Sequence, residues 1–314
     1  PLEDLSEAHD QSYFSDGISD ELSNRLAQVP GMRVAGRTSS QSFKGKGATI
    51  AQIGKALNVS SVLEGSVRMD GDRLRVTVQL NNVADGFQIW SQSYDRKLTD
   101  IFAVQEEIAS AVVESLKLKL LAGVATRHHT PSFEVYAHYL RGRQALIRSD
   151  MEAGLAAYRQ AVALDPGYAQ AHAGLAMAES FTASRRDGPV AYAEAKRRAM
   201  ASAERAVQLD PTLGDAYGAR GYLRGREWDW DGALADTEKS LVLDPREGRN
   251  HLRRGNLLSA LNRLDEARAV LEEGLAVDPL PSCPCALFPH DQTVWSAARA
   301  RMCSWPEARA PVTR

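Results

Sequence analysis

The dipeptide Asp-Pro closes four similar stretches of this chain: VALDPGYA from Val162, VQLDPTLG from Val207, LVLDPREG from Leu241 and LAVDPLPS from Leu275. The aspartates stand at 165, 210, 244 and 278, so the intervals are 45, 34 and 34 residues. An aliphatic run ended by Pro is a helix stop, because Pro has no N–H to continue the ladder and disfavours helical backbone in the residue before it. A stop that recurs every 34 residues specifies stacked helical hairpins, each burying its apolar face against the next.

Setting each Pro at position 32 of a unit gives units 135–168, 169–213, 214–247 and 248–281. Two helices that cross closely need small residues at the crossing. Position 8 is Gly142, Ala176, Gly221 and Gly255; position 20 is Gly154, Ala199, Ala233 and Ala267; position 27 is Ala161, Ala206, Ser240 and Gly274. All twelve are small. Over residues 135–281 the pattern resembles the tetratricopeptide repeat family. The second unit is longer by 11 residues, expected as a lengthened inter-helix turn at Phe181–Ala191, where Gly188-Pro189 marks a loop. His138, His172 and His251 occupy position 4, with Tyr217 there in the third unit, so they read as rings in one packing slot and not as a metal site.

Positions 2, 5, 9, 12 and 13 of each first helix are expected to line the concave surface. They include Tyr136, Tyr139, Arg143, Gln170, Met177, Phe181, Tyr222, Arg226, Arg249 and Asn256. Tyr and Arg are frequent binding hot spots, and such grooves usually hold extended segments. A protein or peptide is therefore the expected partner.

Residues 1–122 show both periodicities. Ile18, Leu22, Leu26 and Val29 share a helical face, with Ser15 or Asp16 as the expected cap and Pro30-Gly31 as the stop; MRVAGR reads as a short strand. Thr49 is expected to cap a helix with Ile50, Ile53 and Leu57 on one face, leaving at Asn58. Leu63, Gly65, Val67 and Met69 then alternate up to Asp70-Gly71, and Leu74, Val76, Val78 and Leu80 alternate away from it, a hairpin pattern. Asp85-Gly86 turns the chain into a third strand. A final helix carries the stripe Val104, Ile108, Val112, Leu116 and Leu120 before a linker at 123–134. The expected fold class is α/β, a mixed sheet with its helices mainly on one face, followed by an all-α tetratricopeptide-like solenoid.

The stretches YFSDGISDEL, VPGMRVAGRTSSQSFKGK and IGKALNVSSVLEGSVRMDGDRLRVTVQLNNVADGFQIWSQSYDRKLTDIFAVQEEIA together resemble a bacterial signalling domain related to the amino-terminal domain of TolB. That resemblance implies an effector upstream: a class III adenylate cyclase domain, a winged-helix DNA-binding domain or a protein kinase. It also implies a non-catalytic sensor or interaction role for this chain, in the bacterial cytoplasm, or in the periplasm if an upstream segment anchors it.

Chemistry is otherwise sparse. Residues 1–125 carry 13 basic and 16 acidic side chains and the remainder 25 and 24, so neither half is a polycation suited to nucleic acid. No apolar run reaches the length of a membrane span. GRTSSQSFKGKG has Lys44 and Lys46 but not the spacing of a phosphate-binding loop, and no hydrolase, zinc-protease or dinucleotide motif occurs. No cofactor is expected. After Pro279 the repeat register fails, and residues 282–314 read as an irregular tail. Its Cys283, Cys285, His290 and Cys303 are four conceivable zinc ligands, but a C-x-C pair is tighter than zinc sites use. The chain opens on Pro1 rather than Met and is expected to be a fragment.

Overall fold

A computed structural model describes residues 1–6, 11–27, 29, 32–115, 131–183 and 189–278. It shows a small mixed sheet with helices, then a tetratricopeptide-like solenoid. The expected stop at Pro30-Gly31, the stripe positions Leu116 and Leu120 and the tail with its cysteines lie outside these residues.

Strand β1 (Glu3–Asp4) pairs parallel with β2 (Ser61–Asp70), which pairs antiparallel with β3 (Arg73–Asn82), and β3 with β4 (Gln88–Lys97); the order is β1-β2-β3-β4. The alternation puts Val67, Leu74, Val76, Val78, Leu80 and Tyr94 into one buried face. The other face is polar, with Arg73 and Arg75 both held by Asp95 at 2.8 and 2.7 Å. Asp70 pairs with Arg73, so the two turn residues are Gly71 and Asp72, one step beyond the expected pair. Gly71 has φ +57°. A glycine in the first central position accepts that conformation without strain.

Helix α1 (Ser12–Ala27) starts before its expected cap, and Ser15 and Asp16 lie inside it. The Gln11 carbonyl opens it, accepting Phe14 N–H at 2.9 Å, while the Asp4 carboxylate receives Gln11 N–H at 2.8 Å. The first turn thereby carries Tyr13 and Phe14 into the core, along with Ile18, Leu22 and Leu26. The stretch expected as a strand, Met32–Arg37, forms none: residues 32–36 take no regular structure, and Arg37 opens the short helix α2 (Arg37–Gln41). Helix α3 (Ile50–Leu57) has the expected Thr49 cap, reciprocated by Gln52, and Asn58 leaves it in left-handed conformation. Helix α4 (Ile101–Ser115) buries Val104, Ile108 and Val112 against the sheet.

The solenoid pairs α5 (Phe133–Ile147) with α6 (Met151–Leu164), α7 (Ala169–Thr182) with α8 (Pro189–Leu209), α9 (Gly214–Arg226) with α10 (Trp230–Leu243) and α11 (Gly248–Ala260) with α12 (Leu264–Val277). Each second helix ends one residue before its Asp-Pro. Eleven of the twelve crossing positions are buried, Gly274 being half-buried. A Cβ at Gly255 would lie 2.5 Å from Leu271, so the fourth hairpin closes around the missing methyl. The extra residues of the second unit are not mainly loop. Pro189 opens α8 at the position where its missing N–H costs nothing, and α8 runs 21 residues against 14 in α6. The Ala-rich VAYAEAKRRAM favours helix, so the insertion adds about two turns to α8.

Two of the position-4 rings meet the preceding stops. His172 Nε2 lies 3.0 Å from the Pro166 carbonyl and His251 Nε2 2.7 Å from that of Pro245, each tying a first helix to the preceding stop. Burial lowers the His172 imidazole from its usual range.

Candidate functional site

The α/β domain of the same chain touches the array at both ends. At the near end, α5 joins the α/β core as a further helix. Its Leu140 side chain fills the space over Gly17, where a Cβ would lie 2.4 Å away. Tyr136 is 3% exposed and packs edge-on against Phe102 at 5.0 Å, and Gln105 Nε2 donates to its hydroxyl at 3.4 Å. Burial pushes that phenol far above its usual range. Burying Leu140 and Tyr136 contributes about 2–3 kcal/mol each.

Polar contacts frame this contact. Arg141 Nη2 donates to the Tyr13 hydroxyl at 3.0 Å and Gln144 Nε2 to Ser12 Oγ at 3.1 Å. Asp20 lies 3.2 Å from Arg143 and 2.7 Å from Arg37, so one carboxylate serves two guanidinium groups. Burial first, and then the Arg143 charge, lower Arg37 from the ordinary guanidinium range against the pull of Asp20. A cleft of about 130 Å³ remains at this seam, bounded by Asp16, Asp20, Arg37, Arg143 and Arg148.

At the far end the last repeat reaches the segment before α2. Gly36 N–H donates to the Val277 carbonyl at 3.0 Å. The Asp278 carboxylate accepts from Thr38 N–H at 3.3 Å and Ser39 N–H at 2.8 Å, and from the Ser39 hydroxyl in a short bond. Arg246 Nη1 donates to the Met32 carbonyl at 2.6 Å.

The residues expected to line a groove therefore divide. Tyr136 is core, and Tyr139 joins a ring cluster with Tyr136 at 6.2 Å, Tyr158 at 6.1 Å and Tyr168 at 5.3 Å. Arg143 is committed to Asp20. Met177 packs between the second and third repeats with Ala199, Ala203, Ala219 and Leu223. These four side chains are engaged within the chain, by hydrophobic packing or by the α/β domain. Arg249 is held by Glu247 at 3.1 Å and faces Asp215 at 3.7 Å, and the Glu247 carboxylate raises it further above the guanidinium range. Gln170 and Asn256 are half-buried.

Tyr222 and Arg226 sit together where the second and third repeats meet. Both are half-buried. Arg226 donates to the hydroxyls of Tyr222 at 3.2 Å and Tyr192 at 3.4 Å, and Phe181 meets Tyr222 edge-on at 5.9 Å. Lys44 is paired with Asp16 rather than presented to an anion. Among the described residues no three His, Cys, Asp or Glu side chains converge as metal ligands. No helix there is long and apolar enough to cross a membrane. Sequence reasoning missed Asp20, Arg37, Ser39, Arg246 and Asp278. Only Asp278 carried a signal, and that signal concerned its stop and not its partner.

Residues 248–279 match the tetratricopeptide repeat family model. The chain is 38% identical over 184 residues to "Putative adenylate cyclase 3" of Rhizobium meliloti (strain 1021), an alignment covering 56% of this chain and 31% of that protein. The chain thus spans about a third of that relative's length. Among solved structures, a thermophilic TPR protein of Thermus thermophilus aligns at 17% identity with TM-score 0.43, over 66% of this chain and 95% of that one. YrrB, described as a TPR protein with an unusual peptide-binding site, aligns at 17% identity and TM-score 0.32, over 55% and 80%.

Proposed function

We propose that this chain is a non-catalytic protein-interaction module of a bacterial signalling protein. Its α/β domain is of the kind related to the amino-terminal domain of TolB and couples to an effector domain; the array binds a protein or peptide. The observation that carries the binding half is the cluster of Phe181, Tyr192, Tyr222 and Arg226. It places aromatic and guanidinium groups at half-buried positions in the second and third repeats, while the first repeat, the fourth and the closing turn of the third grip the α/β domain. Rigid aromatics beside Arg give contact area at low entropy cost.

Between effectors, the similarity to a protein named as an adenylate cyclase favours a cyclase over a winged-helix regulator. On this reading the chain regulates cyclisation and performs none of it. It works on the cytoplasmic side, where a cyclase finds its nucleotide substrate; a periplasmic placement is the alternative.

The test is affinity capture with the intact chain beside a Tyr222→Ala/Arg226→Ala variant of unchanged helical content. A protein retained by the native chain and lost by the variant supports the reading. Equal retention by both, or retention by neither, contradicts it.

A further inference from the structure

The Asp-Pro stops do not all use their carboxylates in the same way. Asp165 accepts Gly167 N–H at 3.0 Å and Asp210 accepts Thr212 N–H at 2.9 Å, each closing its own turn. Asp278 instead turns its carboxylate to the first turn of α2, about 240 residues earlier in the chain, while Val277 takes the Gly36 amide. The fit leaves no slack: a Cβ at Gly36 would lie 2.4 Å from Asp278 Cβ, and one at Gly248 would lie 3.1 Å from it.

Helix α2 is in turn bound to α1 through Arg37 and Asp20, and Asp20 to the first repeat through Arg143. Contacts thus run from the fourth repeat to α2, to α1, and back to the first repeat. Helix α1 is also where the chain enters, since Leu2 N–H donates to Ser19 Oγ at 2.7 Å. A repeat array ordinarily transmits only between neighbouring repeats; here its far end is tied to α1 through α2.

We propose that Asp278 is a regulatory latch: its contact with α2 couples the curvature of the array to α1, and releasing it loosens the helix that anchors the amino-terminal entry of the chain. The latch is built for release. It consists of a few hydrogen bonds to a five-residue helix. A segment bound along the inner face that changed the array's pitch would move Asp278 by the accumulated change of every repeat. This last step rests on the proposal that the array binds a protein; the coupling itself does not.

Hydrogen exchange on the intact chain, with no ligand added, tests the coupling. Asp278→Ala is expected to speed exchange of the Gly36, Thr38 and Ser39 amides by about tenfold or more, and of α1 by several fold, with β2–β4 and α4 unchanged. Ser39→Ala is expected to act in the same direction and less strongly. Asp165→Ala, which removes the carboxylate of another stop, is expected to leave α1 and α2 as they are. Faster exchange confined to residues 36–39, with α1 unaffected, would reduce the contact to a local cap and overturn the proposal. So would equal effects of Asp278→Ala and Asp165→Ala. Because no ligand enters the experiment, failure of the binding proposal leaves its outcome untouched.

Discussion

Arg143 of the first repeat and Asp20 of α1 stand 3.2 Å apart across the seam between the sheet domain and the array, with Arg37 on the same carboxylate at 2.7 Å. The carboxylate is the hub: its side chain is 6% exposed, and removing it leaves two guanidinium groups facing each other. Asp20→Asn is therefore expected to cost about 3 kcal/mol, and Arg143→Met about 1 kcal/mol, because Arg37 still satisfies Asp20 in the second variant. Urea unfolding of the two variants checks the order, and the reverse order would count against a shared carboxylate.

In the sheet, Gly65 faces the Thr77 carbonyl, where a Cβ would lie 2.0 Å from that oxygen. Backbone cannot give way as a flexible side chain does. Gly65→Ala is expected to destabilise the chain by about 2 kcal/mol or more, by forcing β2 from β3. Thermal unfolding followed by circular dichroism measures this, and an unchanged midpoint would show that the strands can part at no cost.

Ser149, Trp228 and Asn262 occupy equivalent places after the first helices of their repeats, at φ values of 61°, 67° and 59°. The left-handed conformation strains a side chain and suits glycine. Ser149→Gly is expected to raise stability by roughly 0.5–1 kcal/mol, read as a higher urea midpoint at constant slope. A lower midpoint would mean that unfolded-state entropy outweighs the relieved strain.

Asp244 is pushed up to about 6 by burial first, then by the Glu247 and Asp215 carboxylates. The folded chain therefore holds this proton more tightly than the unfolded chain does. Stability from this group is present below the unfolded value and is lost as pH rises through about 6. Asp244→Asn, neutral throughout, is expected to exceed the native chain at pH 8 by on the order of 2 kcal/mol, the gap closing towards pH 4. A gap of the same size at both pH values would assign the effect to something other than ionisation.

The repeat architecture could be read from the sequence because its determinants are local and periodic: a Pro that stops a helix, a small residue where helices cross. The hairpin and the α1 face could be read for the same reason. Boundaries failed where burial competed with local signals, as when Tyr13 and Phe14 drew α1 past Ser15, or where helix propensity filled an insertion expected as loop. The site was least legible. Tyr136, Tyr139 and Arg143 follow from the repeat register as positions 2, 5 and 9, but nothing periodic says that α1 lies against them. The pairing of Asp278 with Ser39 spans 239 residues and joins two ordinary polar side chains, so no spacing rule announces it.

The array closes on the α/β domain of its own chain. A cysteine pair tests it most directly: Ser39→Cys with Asp278→Cys, in a background where Cys283, Cys285 and Cys303 are serine. Under mild oxidation at low protein concentration, an intramolecular disulfide is expected, seen as a reducible mobility shift of the monomer with loss of both free thiols. Two thiols that stay free under these conditions, or that cross-link only between chains, would contradict it.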